Sequence, residues 1–272
     1  MSNTARIAFV TGASRGIGRA ACLALAESGW DVVVTARTVK EGDNVDGRPM
    51  PGSLEVTARE IRALGRRALP IRLDLLDVES IDRAVSQALS EWGQIDLLLN
   101  NGIYTGTGAM DLFLDLDLAN VQDMFRGNLF AQIQITQRVL PSMLKRGGGI
   151  LINMVSGSGL MDPPAPAGEG GWGFAYAASK AAFHRMVGVL AVEHADSGLH
   201  FVNLEPGFVM TEAMRLNDPD GAISKHFKPA PPTVPAAAIA WLANRGSAEW
   251  NGRTAYAQKL ALRHSLHPDW RN

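Results

Sequence analysis

Apolar residues fall along this chain in two alternating rhythms. Short, nearly unbroken apolar runs occur at RIAFVT (6–11), DVVVTA (31–36), ALPIRLDL (68–75), IDLLLNN (95–101), GILINMV (149–155), HFVNLEP (200–206) and RTAYAQ (253–258). Runs of that length and continuity predict strands covered on both faces. Between them, apolar residues recur at helical spacing in RAACLALAESG (19–29), SLEVTAREIRALG (53–65), VESIDRAVSQALSEWG (78–93) and AAAIAWLA (236–243), and a long helical region separates the fourth and fifth runs. Ser53 suits an N-cap, and Gly29 stands where the first helix would end. Strand–helix alternation of this kind predicts an α/β fold, a doubly wound parallel sheet of about seven strands with helices on both faces. No repeat or long linker interrupts it, so residues 1–272 are expected to form a single domain. Two connections, 38–52 and 157–173, are long enough to be either functional or disordered.

Composition narrows the class. Hydrophobic residues make up 46% and charged residues 19% of the chain, as in ordinary globular proteins. Lys and Arg number 26 against 27 Asp and Glu, a net charge of −1, so no basic excess invites nucleic acid or an anionic membrane. No run reaches the length of a membrane span, and no secretory signal precedes the first strand, so a cytoplasmic protein is expected. Cys22 is the sole cysteine and lies in an apolar helical run, which suits a small core residue. No metal site is expected.

TGASRGIG (11–18) sits where the first strand turns into the first helix. Gly12 permits a tight exit from the strand. Gly16 and Gly18 let a pyrophosphate and the following helix approach the backbone, and the helix N-terminus offers free amides to the anion. That arrangement makes the domain Rossmann-like and predicts a dinucleotide. The second strand ends at Ala36–Arg37 and carries no carboxylate to meet a ribose 2′-hydroxyl. Arg37 and Arg15 instead offer two guanidiniums to a 2′-phosphate, so NADP(H) is expected over NAD(H), with NAD(H) still possible. FAYAASK (174–180) sets Tyr176 and Lys180 one helical turn apart on one face. Two readings exist for such a pair. It is either a pair of amphipathic surface groups, or a phenol whose ionisation an ammonium eases.

Taken in order, TGASRGIG, LLLNNG (97–102), YAASK (176–180) and EPG (205–207) resemble the TGxxxGxG, NNAG, YxxxK and PG motifs of the short-chain dehydrogenase/reductase family, and the resemblance runs from about residue 6 to 260. It implies a cofactor site built from Gly12, Ser14, Arg15, Gly16, Ile17, Gly18, Arg37, Asp74, Leu75, Asn100, Gly102, Tyr176, Lys180, Pro206, Gly207, Val209 and Thr211. Asp74 would meet the adenine and Thr211 the nicotinamide carboxamide. It further implies Tyr176 as general acid and base, Lys180 as its electrostatic partner and ribose ligand, Ser156 as donor to the substrate oxygen, and Asn128 as holder of a proton-relaying water. Ser158 rivals Ser156, because the insert PPAPAGEGGWG lengthens the usual Ser-to-Tyr spacing.

Two departures stand out: NNGI (100–103) lacks the alanine of NNAG, and QKLAL (258–262) replaces a usual GG. After Pro206–Gly207, the segment near 208–232 would cover the substrate. Met210, Met214, Phe227 and Trp172 would suit a hydrophobic carbonyl or alcohol, while Lys225, His226 and Lys228 could meet an acidic one. The resemblance implies a homodimer or homotetramer. It leaves several activities open: ketone or aldehyde reduction, alcohol oxidation, enoyl reduction, epimerisation or dehydration, and cofactor sensing without turnover.

Overall fold

The computed structural model describes residues 5–45, 48–49, 51–217 and 228–270, with backbone alone at 44–45, 48–49 and 216–217. Strands β1 (Ile7–Thr11), β2 (Asp31–Ala36), β3 (Ala68–Arg72), β4 (Leu97–Asn100), β5 (Gly149–Met154), β6 (Leu199–Glu205) and β7 (Thr254–Tyr256) form one sheet in the order β3-β2-β1-β4-β5-β6-β7. Every neighbouring pair is parallel. Among the described residues the helices are α1 (Gly16–Glu27), α2 (Leu54–Ala63), α3 (Val78–Trp92), α4 (Leu118–Phe125), α5 (Ala131–Arg146), α6 (Phe174–Glu193), α7 (Glu212–Asn217), α8 (Thr233–Trp241) and α9 (Ala257–Arg263).

The unbroken apolar strands are explained by two cores, one on each face. Val32, Val34, Leu97 and Leu99 pack into one cluster with α1, α2, α8 and α9. Val33 and Leu98, the residues between them, pack into the other with α3, α5 and α6. Successive side chains point to opposite faces of a strand, and here both faces must be apolar. Three adjacent strands carry Asn100, Asn153 and Asn203 in register, all buried. Asn100 Nδ2 donates to Asn153 Oδ1 at 3.0 Å and to Thr136 Oγ1 at 3.1 Å, and Asn203 Nδ2 donates to the His184 carbonyl at 2.8 Å.

Caps follow the expected chemistry. Ser53 Oγ accepts from the Val56 amide, and Asp77 accepts from the Ser80 amide. Several boundaries differ from the sequence reading. The third strand ends at Arg72, because Asp74 turns back to accept from the Leu76 amide at 3.1 Å. The last strand is only three residues long, and QKLAL is helical, part of α9. The region before β5 is broken at Arg126–Phe130 by a π-turn between α4 and α5. In the 38–52 connection, Asn44–Val45 and Arg48–Pro49 pair antiparallel.

Candidate active site

Strand order reverses at β1, which lies between β2 and β4, so the crevice opens beyond the carboxyl ends of β1 and β4. In open α/β sheets that crevice is where ligands bind. Thr11 ties its two walls together. Its Oγ1 accepts from the amides of Asn101 and Gly102 at 2.9 and 2.8 Å, and its carbonyl accepts from Asn101 Nδ2 at 2.8 Å. Asn100 points the other way, into the sheet. The dipeptide thus splits its work: Asn100 braces the strands and Asn101 holds the glycine loop.

The glycine loop is built for close approach. Gly12 adopts φ +68°, and a Cβ there would lie 2.8 Å from Gly102 Cα. A Cβ on Gly18 would run into the Gly12 carbonyl and the Asn101 amide. The loop and the β4 exit therefore pack backbone to backbone. Ser14 is buried and Ile17 packs on the core. Helix α1 has no side-chain N-cap. The amide of Gly16 instead donates to Glu212 Oε2 at 3.0 Å, so a carboxylate stands at the anion-favouring end of the helix.

Arg15 reaches away from the helix. Its Nη2 donates to Thr38 Oγ1 at 2.9 Å and its Nε to the Pro51 carbonyl at 2.8 Å. Burial holds its guanidinium below the ordinary value, an effect eased by Glu212 and reinforced by the like charge of Arg37. Arg15 and Arg37 thus share one neighbourhood, at the β2 end of the crevice. These features suit a dinucleotide: a dry loop that admits no side chain, an uncapped helix end that already holds an anionic group, and paired guanidiniums. Asp74 and Leu75 follow β3; the Asp74 carboxylate makes its turn and lies 3.6 Å from Arg72.

On the other wall, Tyr176 and Lys180 lie on α6. Lys180 is buried, and its Nζ donates to the Met154 carbonyl at 3.0 Å, at the end of β5. Tyr176 is partly buried, and the Ser156 side chain lies beside its hydroxyl, where it favours the phenolate. Ser156 Oγ also accepts from Ser158 Oγ at 2.9 Å, so Ser158 stands behind Ser156. Burial raises the Tyr176 phenol above its ordinary value; Ser156 lowers it and Glu205 raises it further. Burial also lowers Lys180 to about 7. Both members of the pair are thus biased toward their neutral forms by loss of water, not toward an ion pair. A plain surface Tyr/Lys pair is ruled out by the burial of Lys180.

Asn128 occupies the π-turn and is buried. Its Oδ1 accepts from the Tyr104 amide at 2.7 Å, and its Nδ2 donates to the Tyr104 carbonyl at 3.1 Å and to Ser179 Oγ at 3.3 Å. Ser179 Oγ in turn donates to the Tyr176 carbonyl at 2.8 Å. Gln132 Nε2 donates to the Gly102 carbonyl at 3.0 Å. The Asn128 side chain therefore fastens the loop after β4 to α6; it does not reach for Lys180. Such widened turns are frequent at functional sites.

The turn after β6 completes the wall. Gln258 Nε2 donates to the carbonyls of Pro206 and Phe208, both at 3.2 Å, so QKLAL holds the turn that contains Gly207. Val209 is buried, and the Met210 amide donates to the Ala230 carbonyl at 2.9 Å, which closes the ends of the following segment on each other. Thr211 Oγ1 accepts from the Met214 amide at 3.1 Å. Met210, Met214 and Trp172 are partly buried; Lys225, His226 and Phe227 lie outside the described residues. Lys228 stacks on Trp270 at 5.0 Å, so its charge is engaged there. The 157–173 insert folds back on itself through an Ala167–Gly171 bridge, and the Gly173 amide donates to the Ala109 carbonyl at 3.2 Å. Cys22 is fully buried, with its thiol pushed up by desolvation. Among the described residues, no group of His, Cys, Asp and Glu gathers as metal ligands, and no helix is long and apolar enough to cross a membrane.

Sequence reasoning missed Thr11, Asn101, Glu205 and Glu212. Glu205 had a legible signal, a carboxylate closing an apolar strand immediately before Pro-Gly.

Residues 6–221 match the family model described as short chain dehydrogenase. The chain is 33% identical over 211 residues to a 3-oxoacyl-[acyl-carrier-protein] reductase of Synechocystis sp., covering 77% of this chain and 76% of that one. It is 31% identical over 235 residues to the oxidoreductase UcpA of Salmonella typhimurium, covering 84% and 81%. Among solved structures, a short-chain type dehydrogenase/reductase from Mycobacterium marinum superposes with a TM-score of 0.78 at 28% identity, over 92% and 93% of the two chains.

Proposed function

Because the chain belongs to the short-chain dehydrogenase/reductase family, we propose that it is an NADP(H)-dependent oxidoreductase that interconverts a ketone or aldehyde and an alcohol. The observation that carries this reading is the gathering of Ser156 beside the Tyr176 hydroxyl with Lys180 one turn further along α6, its Nζ turned to the end of the same strand that leads to Ser156. A partly buried phenol that retains its proton, with a second hydroxyl beside it, is suited to give that proton to a carbonyl oxygen as negative charge develops there.

The cofactor supplies or accepts the hydride. The residues that would hold it are the glycine loop (Gly12, Ser14, Arg15, Gly16, Ile17, Gly18) for the pyrophosphate, and Arg37 with Arg15 for a 2′-phosphate. Asp74, Leu75, Asn100 and Gly102 would line the adenine side and crevice floor, and Pro206, Gly207, Val209 and Thr211 the nicotinamide end. Lys180 would bind the nicotinamide ribose. Its ammonium, once paired there, would lower the cost of a phenolate at Tyr176. Ser156 donates to the substrate oxygen. Asn128 would act through the π-turn it occupies, by holding a proton-relaying water there.

The substrate class is a hydrophobic carbonyl or alcohol, supported by the partly buried Met210 and Met214, which follow the Pro206–Gly207 turn in sequence, and by Trp172 in the 157–173 insert. The named reductase relative makes 3-oxoacyl compounds the first ketones to test. We propose a homodimer or homotetramer, because Leu118, Phe130, Val189 and Val192 leave large apolar surfaces exposed on α4–α6 and their π-turn. A cytoplasmic setting and no nucleic-acid or membrane partner fit the net charge of −1.

The test is NADPH and NADH absorbance with purified protein, a panel of aldehydes and ketones, and Tyr176→Phe alongside. Consumption of NADPH in preference to NADH, falling about 10²-fold or more in the variant, is the expected result. Tight NADPH binding with no turnover on any carbonyl would transfer the reading to cofactor sensing.

A further inference from the structure

Glu205 ends β6 immediately before the Pro206–Gly207 turn. The Gly207 amide donates to its carboxylate at 2.9 Å, and Gly157 lies against the same oxygen, which a Cβ on Gly157 would approach to 3.5 Å. Gly157 follows Ser156, whose side chain lies beside the Tyr176 hydroxyl. One carboxylate therefore joins the serine loop on one strand end to the glycine turn on the next, within electrostatic reach of the phenol between them. We propose that Glu205 is a positioning residue of the reacting centre, which clips the Ser156 loop to the Pro206–Gly207 turn and brings its carboxylate to the wall that holds Tyr176.

The surrounding charges agree with that role. Burial raises the Glu205 carboxyl above its ordinary value, while the backbone at Gly207 and Gly157 and the ammonium of Lys259, exposed on α9, favour its ionised form. Lys180, on the same helix as Tyr176, is turned to the Met154 carbonyl. The consequence for turnover, which rests on the reductase reading above, is a bias at neutral pH toward giving a proton to a carbonyl over taking one from an alcohol.

Glu205→Gln separates charge from clip, since a carboxamide oxygen still accepts from the Gly207 amide. The measurement is phenolate absorbance against pH for the protein alone, with the contribution of the other two tyrosines removed by subtracting the matching Tyr176→Phe protein. It is made over the range in which circular dichroism reports the native fold. The Tyr176 phenolate is expected to appear roughly one pH unit or more lower in Glu205→Gln than in the parent. Identical curves, including two that show no ionisation while folded, overturn the proposal. Should Glu205→Gln fail to fold, Glu205→Ala, which removes the charge and leaves room for water at the Gly207 and Gly157 amides, is expected to move the curve downward in the same way; an unmoved curve overturns the proposal equally. No substrate or cofactor enters this titration. A shifted curve in a protein that reduces no carbonyl would therefore retire the reductase reading and leave the role of Glu205 intact.

Discussion

Glu212 Oε2 accepts a 3.0 Å hydrogen bond from the amide of Gly16, across 196 residues of sequence. A carboxylate from the segment after β6 thereby rests on the end of α1 where an anion is favoured. The same amide is among those the glycine loop would present to a pyrophosphate, so the two negative groups compete.

Neutralising Glu212 should therefore strengthen dinucleotide binding. In Glu212→Gln, the dissociation constant of NADPH measured by fluorescence titration is expected to fall about two- to fivefold, the range of a single charge at a helix end. The gain should shrink at high salt. A weaker complex would mean that Glu212 helps to bind the cofactor instead of displacing it.

Arg37 should decide between the two dinucleotides. Arg37 follows β2, outside the glycine loop, so its removal leaves the Arg15 contacts to Thr38 and Pro51 in place. Arg37→Ala is expected to weaken NADPH roughly ten- to hundredfold, the scale of lost hydrogen bonds to a charged group, with NADH little changed. Equal losses for both cofactors would place Arg37 on a group that they share.

Burial of Lys180 should leave a pH signature in stability. Its folded value of about 7 lies below the ordinary 10.5. Between those two values the unfolded chain holds the extra proton, so this residue makes stability rise as pH rises through that window. Below about 7 the folded protein bears the full cost of a buried ammonium. Lys180→Met should accordingly melt at a higher temperature than the parent at pH 6, and the gap should narrow toward pH 10. Melting curves of the two proteins across this range, without cofactor, check it; a constant gap would mean that Lys180 keeps its proton throughout.

The order of strands and helices was legible because it depends on local periodicity. DVVVTA reads as a strand buried on both faces, and the structure returns β2 over the same residues. The glycine loop was equally legible, since steric demands on Gly12 and Gly18 act between residues only a few positions apart and against one facing strand end. Tyr176 and Lys180 could be paired from their spacing alone. Their electrostatic state could not. A four-residue spacing suggests an ammonium that eases a phenol's ionisation, whereas burial drives both groups toward neutrality.

What only the tertiary structure decided are the partners brought from distant strand ends. Asn128 looks like any polar helical residue until its amide is seen fastening Tyr104 to Ser179. QKLAL looks like a departure at the chain's edge until Gln258 is found holding the Pro206–Gly207 turn. Glu205 and Glu212 are two ordinary carboxylates in the sequence, and become groups beside the phenol and the helix end through contacts that no local pattern encodes. The physical reason is the same in each case. Periodicity and backbone sterics are read within a turn or a strand, while the charge and hydrogen bonding at a crevice depend on which segments the sheet order sets side by side.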